Sequence, residues 1–190
     1  HVVGGNRPFV HRRALTPTTF GRQSVQKVLS LDVIPLDLLE PWRTCALAAL
    51  EAVEIAFDSV CPRVQRLHGD CHLGNILWSD AGPHVVDLDD ACTGPAIQDL
   101  WMFLAGEPSA VAAQTQVLLE GYRCFSAFDP RELALIEPLR TLRMIHHSAW
   151  LAERWSDPAF PIAFPWFGSL SYWTEQVAQL RDQLVAMAEP

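Results

Sequence analysis

The chain has 190 residues, 49% of them apolar and 19% charged, a composition that can bury a sizeable core and excludes global disorder. A net charge of −8, with one lysine (Lys27) among the 14 basic residues, argues against a nucleic-acid-binding surface. The best apolar stretch, Cys45 to Phe57, is interrupted by Glu51 and Glu54 and cannot cross a bilayer, and the opening residues bring no basic start into an apolar block as a signal peptide does.

Residues 1–40 read as an irregular lead-in, with Gly4-Gly5, Pro8, Pro17 and Pro35 interrupting any long element. Because the chain opens on His1 and not Met, we expect residues upstream. Pro41 suits a first helical turn, and Leu47, Leu50, Val53 and Phe57 recur at helical spacing, so a helix is expected over 41–60, ended by Pro62. Val64 to Leu67 is a short extended approach. Ile76-Leu77-Trp78 and His84-Val85-Val86 are strand-like runs around a turn-forming Ser79-Asp80-Ala81-Gly82-Pro83, which predicts a hairpin. Residues 95–190 read as helical. Short and longer helices are expected over Pro95 to Leu104 and Ser109 to Phe128, the second with Val111, Val117, Leu118 and Tyr122 toward the core. Asp129-Pro130-Arg131-Glu132 supplies an N-cap, a first-turn proline and a capping box for a helix running to about Trp155, kinked at Pro138. A proline-rich loop follows from Asp157 to Trp166, then a last helix from Ser171 to Ala188. The expected fold is α+β, mainly α, as a single domain over 1–190, with residues 64–90 carrying the chemistry.

His68-Gly69-Asp70-Cys71-His72-Leu73-Gly74-Asn75 precedes the first strand of that hairpin, and Asp87-Leu88-Asp89-Asp90 follows the second. Antiparallel neighbours place one strand's start beside the other's end, so the fold-back would gather these groups. Phosphoryl transfer asks for such a set: a carboxylate to take the hydroxyl proton, and hard oxygen ligands for the magnesium that neutralises the phosphates. Asp70 is the candidate general base or hydroxyl orienter; alone it could be a turn aspartate bonding its own backbone. Asn75 would offer magnesium its amide oxygen, or cap a turn. Asp87, at an apolar strand end, is costly unless paired or metal-bound, which makes it the stronger ligand candidate. Asp89 shares its face if the strand runs that far, whereas Asp90 reads as solvated or a cap. Asp99 is either a surface helix residue or an acceptor for N–H groups of the loop. His68 reads as a packing and hydrogen-bonding element and His146-His147 as structural. An alternative reading takes His68, Asp70 and His72 as the metal cluster of a hydrolase, although the remaining oxygen donors suit magnesium better. The five cysteines include no C-x-x-C pair, which fits a reduced cytoplasmic protein, with Cys71 in a packing role.

At these residues the chain resembles the aminoglycoside phosphotransferase and choline kinase branch of the protein-kinase-like fold. That family's catalytic loop reads H-G-D-x-x-x-x-N, followed by a strand and an Asp-centred metal motif; here these are His68-Gly69-Asp70 with Asn75, then Asp87. Its G-P-x-x-x-D-L is matched by Gly94 to Leu100. Within the branch the likeness is to a bacterial stress-response Ser/Thr protein kinase. It is carried by Arg66 to His72, Val86 to Ala91, Gln98 to Met102, Ile136 to Arg140 and Asp157 to Pro161. The resemblance implies Asp70 as catalytic aspartate, Asn75 and Asp87 as ligands of magnesium bridging the ATP phosphates, Asp99 as a brace of the loop and His68 as structural. It also implies transfer from Mg-ATP to a protein hydroxyl, with an aminoglycoside- or choline-like alcohol as the alternative acceptor. No G-x-G-x-x-G occurs, and Lys27 sits in an unconvincing setting for a phosphate-pairing lysine. The expectation is therefore the C-terminal lobe of a longer kinase. The N-terminal lobe would be absent and expected to dock on this chain, no nucleic acid or membrane partner is expected, and the piece would have little activity by itself.

Overall fold

The computed structural model describes residues 1–7 and 9–188, and among these the chain forms four short strands and seven α-helices. Two compact units emerge where the sequence leads us to expect one domain: His1–Leu15 with Val60–Ile136, and Thr16–Ser59 with Glu137–Pro190.

The first unit holds both sheets. β1 (Val64–Leu67) pairs antiparallel with β4 (Cys92–Pro95), Leu67 facing Cys92. Ala14 adds a parallel bridge to Thr93. β2 (Ile76–Ser79) and β3 (Gly82–Val85) form the hairpin, with Ile76 opposite Val85. A turn this tight needs a positive φ, and Gly82 supplies it at 105°. The second strand stops at Val85, so Asp87 and Asp89 do not share a strand face as expected; Asp87 instead turns the chain with φ 61°. Pro95 ends β4 rather than opening a helix, and the short helix α3 is confined to Gln98–Trp101. Helix α4 spans Pro108–Arg123, shorter than expected. Leu119 is its buried residue; of those expected toward the core, Val111, Leu118 and Tyr122 are half-buried, while Val117 is exposed.

Thr16 opens the second unit by capping Thr19 N–H at 3.1 Å, and Thr19 reciprocates to Thr16 N–H. A π-helix, Pro17–Arg22, follows and runs on into α1 (Gln23–Leu29), so residues 17–29 are helical where an irregular lead-in is expected. Pro17 starts this element and does not break it, because a capped first turn has no use for the missing N–H. Helix α2 (Leu36–Val60) begins ahead of Pro41. A proline one turn in forfeits a single backbone bond, and burial of Trp42, Ala46, Ala49, Leu50 and Val53 along one stripe outweighs it. Helix α5 (Ile136–Arg154) starts late, which puts Pro138 harmlessly in its first turn, with no break there. The expected proline-rich loop contains one helical turn, α6 (Ala159–Ala163), before α7 (Leu170–Ala188). Leu139, Leu142 and Ile145 of α5 and Trp173, Val177 and Leu180 of α7 complete this core, with Trp42 meeting Trp173 edge-on at 5.7 Å between centroids. His146 bonds the Ser24 hydroxyl at 3.0 Å and packs on Phe20. Among the described residues no helix is long and apolar enough to cross a membrane.

Candidate active site

Leaving β1, the chain turns sharply at Gly69, whose φ is 89°. A Cβ there would lie 2.2 Å from the Asp90 carbonyl oxygen, so the close approach as well as the dihedral demands glycine. His68 is held by both ring nitrogens. Asp70 N–H reaches its Nδ1 at 3.3 Å, which assigns the proton to Nε2, and Nε2 then donates to Val86 O at 2.8 Å. Asn75 closes the loop: its Nδ2 donates to Asp70 O at 2.9 Å and stands 3.5 Å from Asp70 Oδ2. The Asn75 carbonyl accepts from Val86 N–H at 3.0 Å. Val86 is therefore gripped at its oxygen by His68 and at its nitrogen by Asn75, immediately before Asp87.

Behind the loop lies Asp99, in the first turn of α3. Its Oδ2 accepts from His68 N–H at 2.7 Å and its Oδ1 from Gly69 N–H at 2.9 Å. His1 Nε2 approaches Oδ2 at 2.9 Å. Burial pushes the Asp99 carboxyl above its ordinary range, and the two backbone donors oppose that shift. Glu132 is buried in turn. It does not close the capping box expected from Asp129-Pro130-Arg131-Glu132, because its carboxylate faces Ile97 N–H at 3.0 Å. Asp129 alone caps the 3₁₀ turn Pro130–Leu135, accepting from Arg131 N–H at 3.0 Å. Burial also raises the Glu132 carboxyl, again against backbone donors at Ile97 and Ala96.

The structure thus brings Asp70, Asn75, His68 and Asp99 together. Asp87 is tied to them through the backbone of Val86; its side chain is exposed, and among the described residues it makes no hydrogen bond to Asp70 or Asn75. Asp89 is also exposed, and its carbonyl accepts from Arg12. His72 lies 3.4 Å from Asp70 Oδ2 through Nε2, while its Nδ1 accepts from Gly74 N–H at 3.0 Å. Both His68 nitrogens are committed to hydrogen bonds, which withdraws one of the three ligands of the metallohydrolase reading, and among the described residues no group of three or more His, Cys, Asp or Glu could hold a metal. Lys27 lies on α1, paired with Glu153 of α5 at 3.2 Å. Sequence reasoning missed Gln98, Trp101 and Glu132. The only signal for the first two was adjacency to Asp99 in the matched stretch.

The His68–Asn75 loop and its Asp99 brace fit the pattern of the kinase-like phosphotransferase family. The model of the APH phosphotransferase enzyme family matches residues 3–136, and the chain belongs to that family. Among curated proteins it is 54% identical over 190 residues to stress response kinase A of Escherichia coli O157:H7. It is 41% identical over 194 residues to serine/threonine protein kinase RdoA of Salmonella typhimurium LT2. Both matches cover all of this chain but 57% of the relative, so the chain spans little more than half their length. Among solved structures it is similar to spectinomycin phosphotransferase in complex with ADP and spectinomycin, with TM-score 0.54 and 16% identity, covering 90% of this chain and 57% of that one. It is also similar to amicoumacin kinase hAmiN in complex with AMP-PNP and Ca2+, with TM-score 0.53 and 15% identity, covering 95% and 64%. These two establish the kinase-like fold.

Proposed function

We propose that this chain carries the acceptor- and metal-binding half of a cytoplasmic kinase that moves the γ-phosphoryl of Mg-ATP to a serine or threonine hydroxyl of a protein. The observation that carries this reading is the convergence of the Asp70 carboxylate and the Asn75 amide within 3.5 Å on a loop braced by Asp99. Asp70 orients the acceptor hydroxyl and takes its proton as the oxygen–phosphorus bond forms and ADP departs. Asn75 spends its nitrogen on Asp70, so the amide oxygen is the atom it offers a cation; with the Asp87 carboxylate this is a hard oxygen donor set that suits magnesium. When bound, that ion would supply charge neutralisation at the phosphates.

A phosphate-covering loop and its lysine belong, on this reading, to the part of the relatives that this chain does not span, and the chain alone turns over little or no ATP. Exposed Trp78 and Val85, on one face of the hairpin, offer that second lobe an apolar surface. The protein acceptor is favoured by the name of the Salmonella relative, whereas the antibiotics named with the solved kinases favour a small alcohol. A panel of both acceptor classes, offered with Mg-ATP to the full-length protein, separates them. In the same assay Asp70→Asn is expected to lower kcat by about 10² to 10⁴-fold; equal phosphorylation by both proteins removes Asp70 from the mechanism.

A further inference from the structure

Gly69 contributes the carbonyl, and Asp70 the N–H, of the peptide unit from which the Asp70 side chain springs. Glycine's rotational freedom makes this the hinge most able to swing Asp70 away from its acceptor. The N–H end is tied to His68 Nδ1 at 3.3 Å. The carbonyl end is tied to a residue with no assigned role: Gln98 Nε2 donates to Gly69 O at 2.9 Å. A glutamine amide can present either its nitrogen or its oxygen, and only the nitrogen suits a carbonyl. Trp101 removes the choice. Its indole N–H donates to Gln98 Oε1 at 3.1 Å, and an indole can only donate, so the amide is locked with Nε2 toward Gly69. Gln98 is 3% exposed, which leaves no bulk water to replace it.

We propose that Gln98 and Trp101 are positioning residues that aim Asp70 by holding the Gly69 carbonyl. This rests on the phosphotransfer reading, and it gives α3 a second task beside the Asp99 contacts. Gln98→Glu is the discriminating variant. It keeps the shape and the acceptor for Trp101, but when ionised it turns an oxygen toward the Gly69 oxygen; once protonated it can donate again. Trp101→Phe leaves Gln98 in place and removes the indole N–H that locks it.

The test is Mg-ATP hydrolysis by the full-length protein, water replacing the acceptor hydroxyl, with kcat and the KM for ATP measured across pH. Gln98→Glu is expected to lose roughly tenfold or more in kcat at alkaline pH with KM little changed, and to recover toward wild type on acidification. Trp101→Phe is expected to lose a few-fold in kcat at every pH. The other titratable groups around this peptide, namely His68, Asp70, Asp90, Cys92 and Asp99, are common to variant and wild type, so the ratio of the two isolates position 98. Wild-type kcat in Gln98→Glu at all pH, or a loss that tracks its melting temperature and does not recover in acid, overturns the proposal. Asp70→Asn in the same assay separates the two levels. If it is inactive while Gln98→Glu is normal, the positioning role alone fails. If it turns over ATP as wild type does, the phosphotransfer reading fails and takes the positioning role with it.

Discussion

Gly69 answers two demands with one missing side chain, a left-handed φ of 89° and a passage 2.2 Å from the Asp90 oxygen as measured from where a Cβ would sit. Alanine relieves neither. Gly69→Ala is expected to cost at least about 2 kcal/mol, combining a strained dihedral with a backbone clash. A urea unfolding midpoint that falls with unchanged slope is the expected sign; an unmoved midpoint would mean the loop relaxes freely. At this scale the loop spacing points to Asp70 and Asn75, because a fixed loop length sets where each must lie, whereas Asp99 is left open between a surface residue and a backbone acceptor and is singled out as a brace only by the family resemblance. Gln98 and Glu132 carried no such mark. Their partners, Gly69 O and Ile97 N–H, are backbone groups distant in sequence; a glutamine in a helical stretch reads as solvated, and the glutamate after Asp129-Pro130-Arg131 reads as a capping box for its own turn.

Helix boundaries turned on prolines, and each was decided by its position within a turn. Pro17 and Pro138 sit where an N–H has no partner to lose, while Pro41 is carried by the buried stripe around Trp42. Local rules saw the prolines but not the burial that offsets them. The 3₁₀ turn before α5 follows from Glu132, whose carboxylate serves Ile97 N–H instead of its own turn. That contact has a pH signature. Burial raises the Glu132 carboxyl above its unfolded value of about 4.3. The folded chain therefore binds this proton more tightly than the unfolded one. Stability is accordingly lost as pH rises from the unfolded value through the raised one, and is flat above it. Glu132→Gln keeps an acceptor for Ile97 N–H without the charge, so its stability should vary less with pH across that window. Asp99, shifted in the same direction, leaves a residual slope in the variant. Denaturation midpoints between about pH 4 and 7 check this; parallel curves for the two proteins would exclude Glu132 as the source.

Across the whole molecule, the mainly helical composition and the hairpin were legible from periodicity, while the division into two units was not. The units interleave in sequence, each made of two segments that alternate along the chain, and no linker composition marks such a boundary. Thiol chemistry samples both. Cys61 and Cys124 are exposed, Cys45 and Cys92 buried, and Cys71 lies between. Burial pushes the Cys71 thiol up to about 11 and Cys92 up to about 12, with the Asp99 charge adding to both. At neutral pH the Cys71 thiolate is then on the order of one part in ten thousand. Mass-resolved alkylation should modify Cys61 and Cys124 first, Cys71 slowly, and Cys45 and Cys92 only on unfolding. Labelling of Cys71 as fast as Cys61 would contradict this.

The brace behind Asp70 also sets an order of assembly. Gly69 takes its partners from residues 98 and 99, and the backbone just before them is held by Glu132. During synthesis the loop leaves the ribosome long before any of these, so the aspartate waits in a shapeless segment until much later chain has emerged. A chain that ends between Asn75 and Glu132 keeps the motif in letters and lacks part of the architecture that holds it.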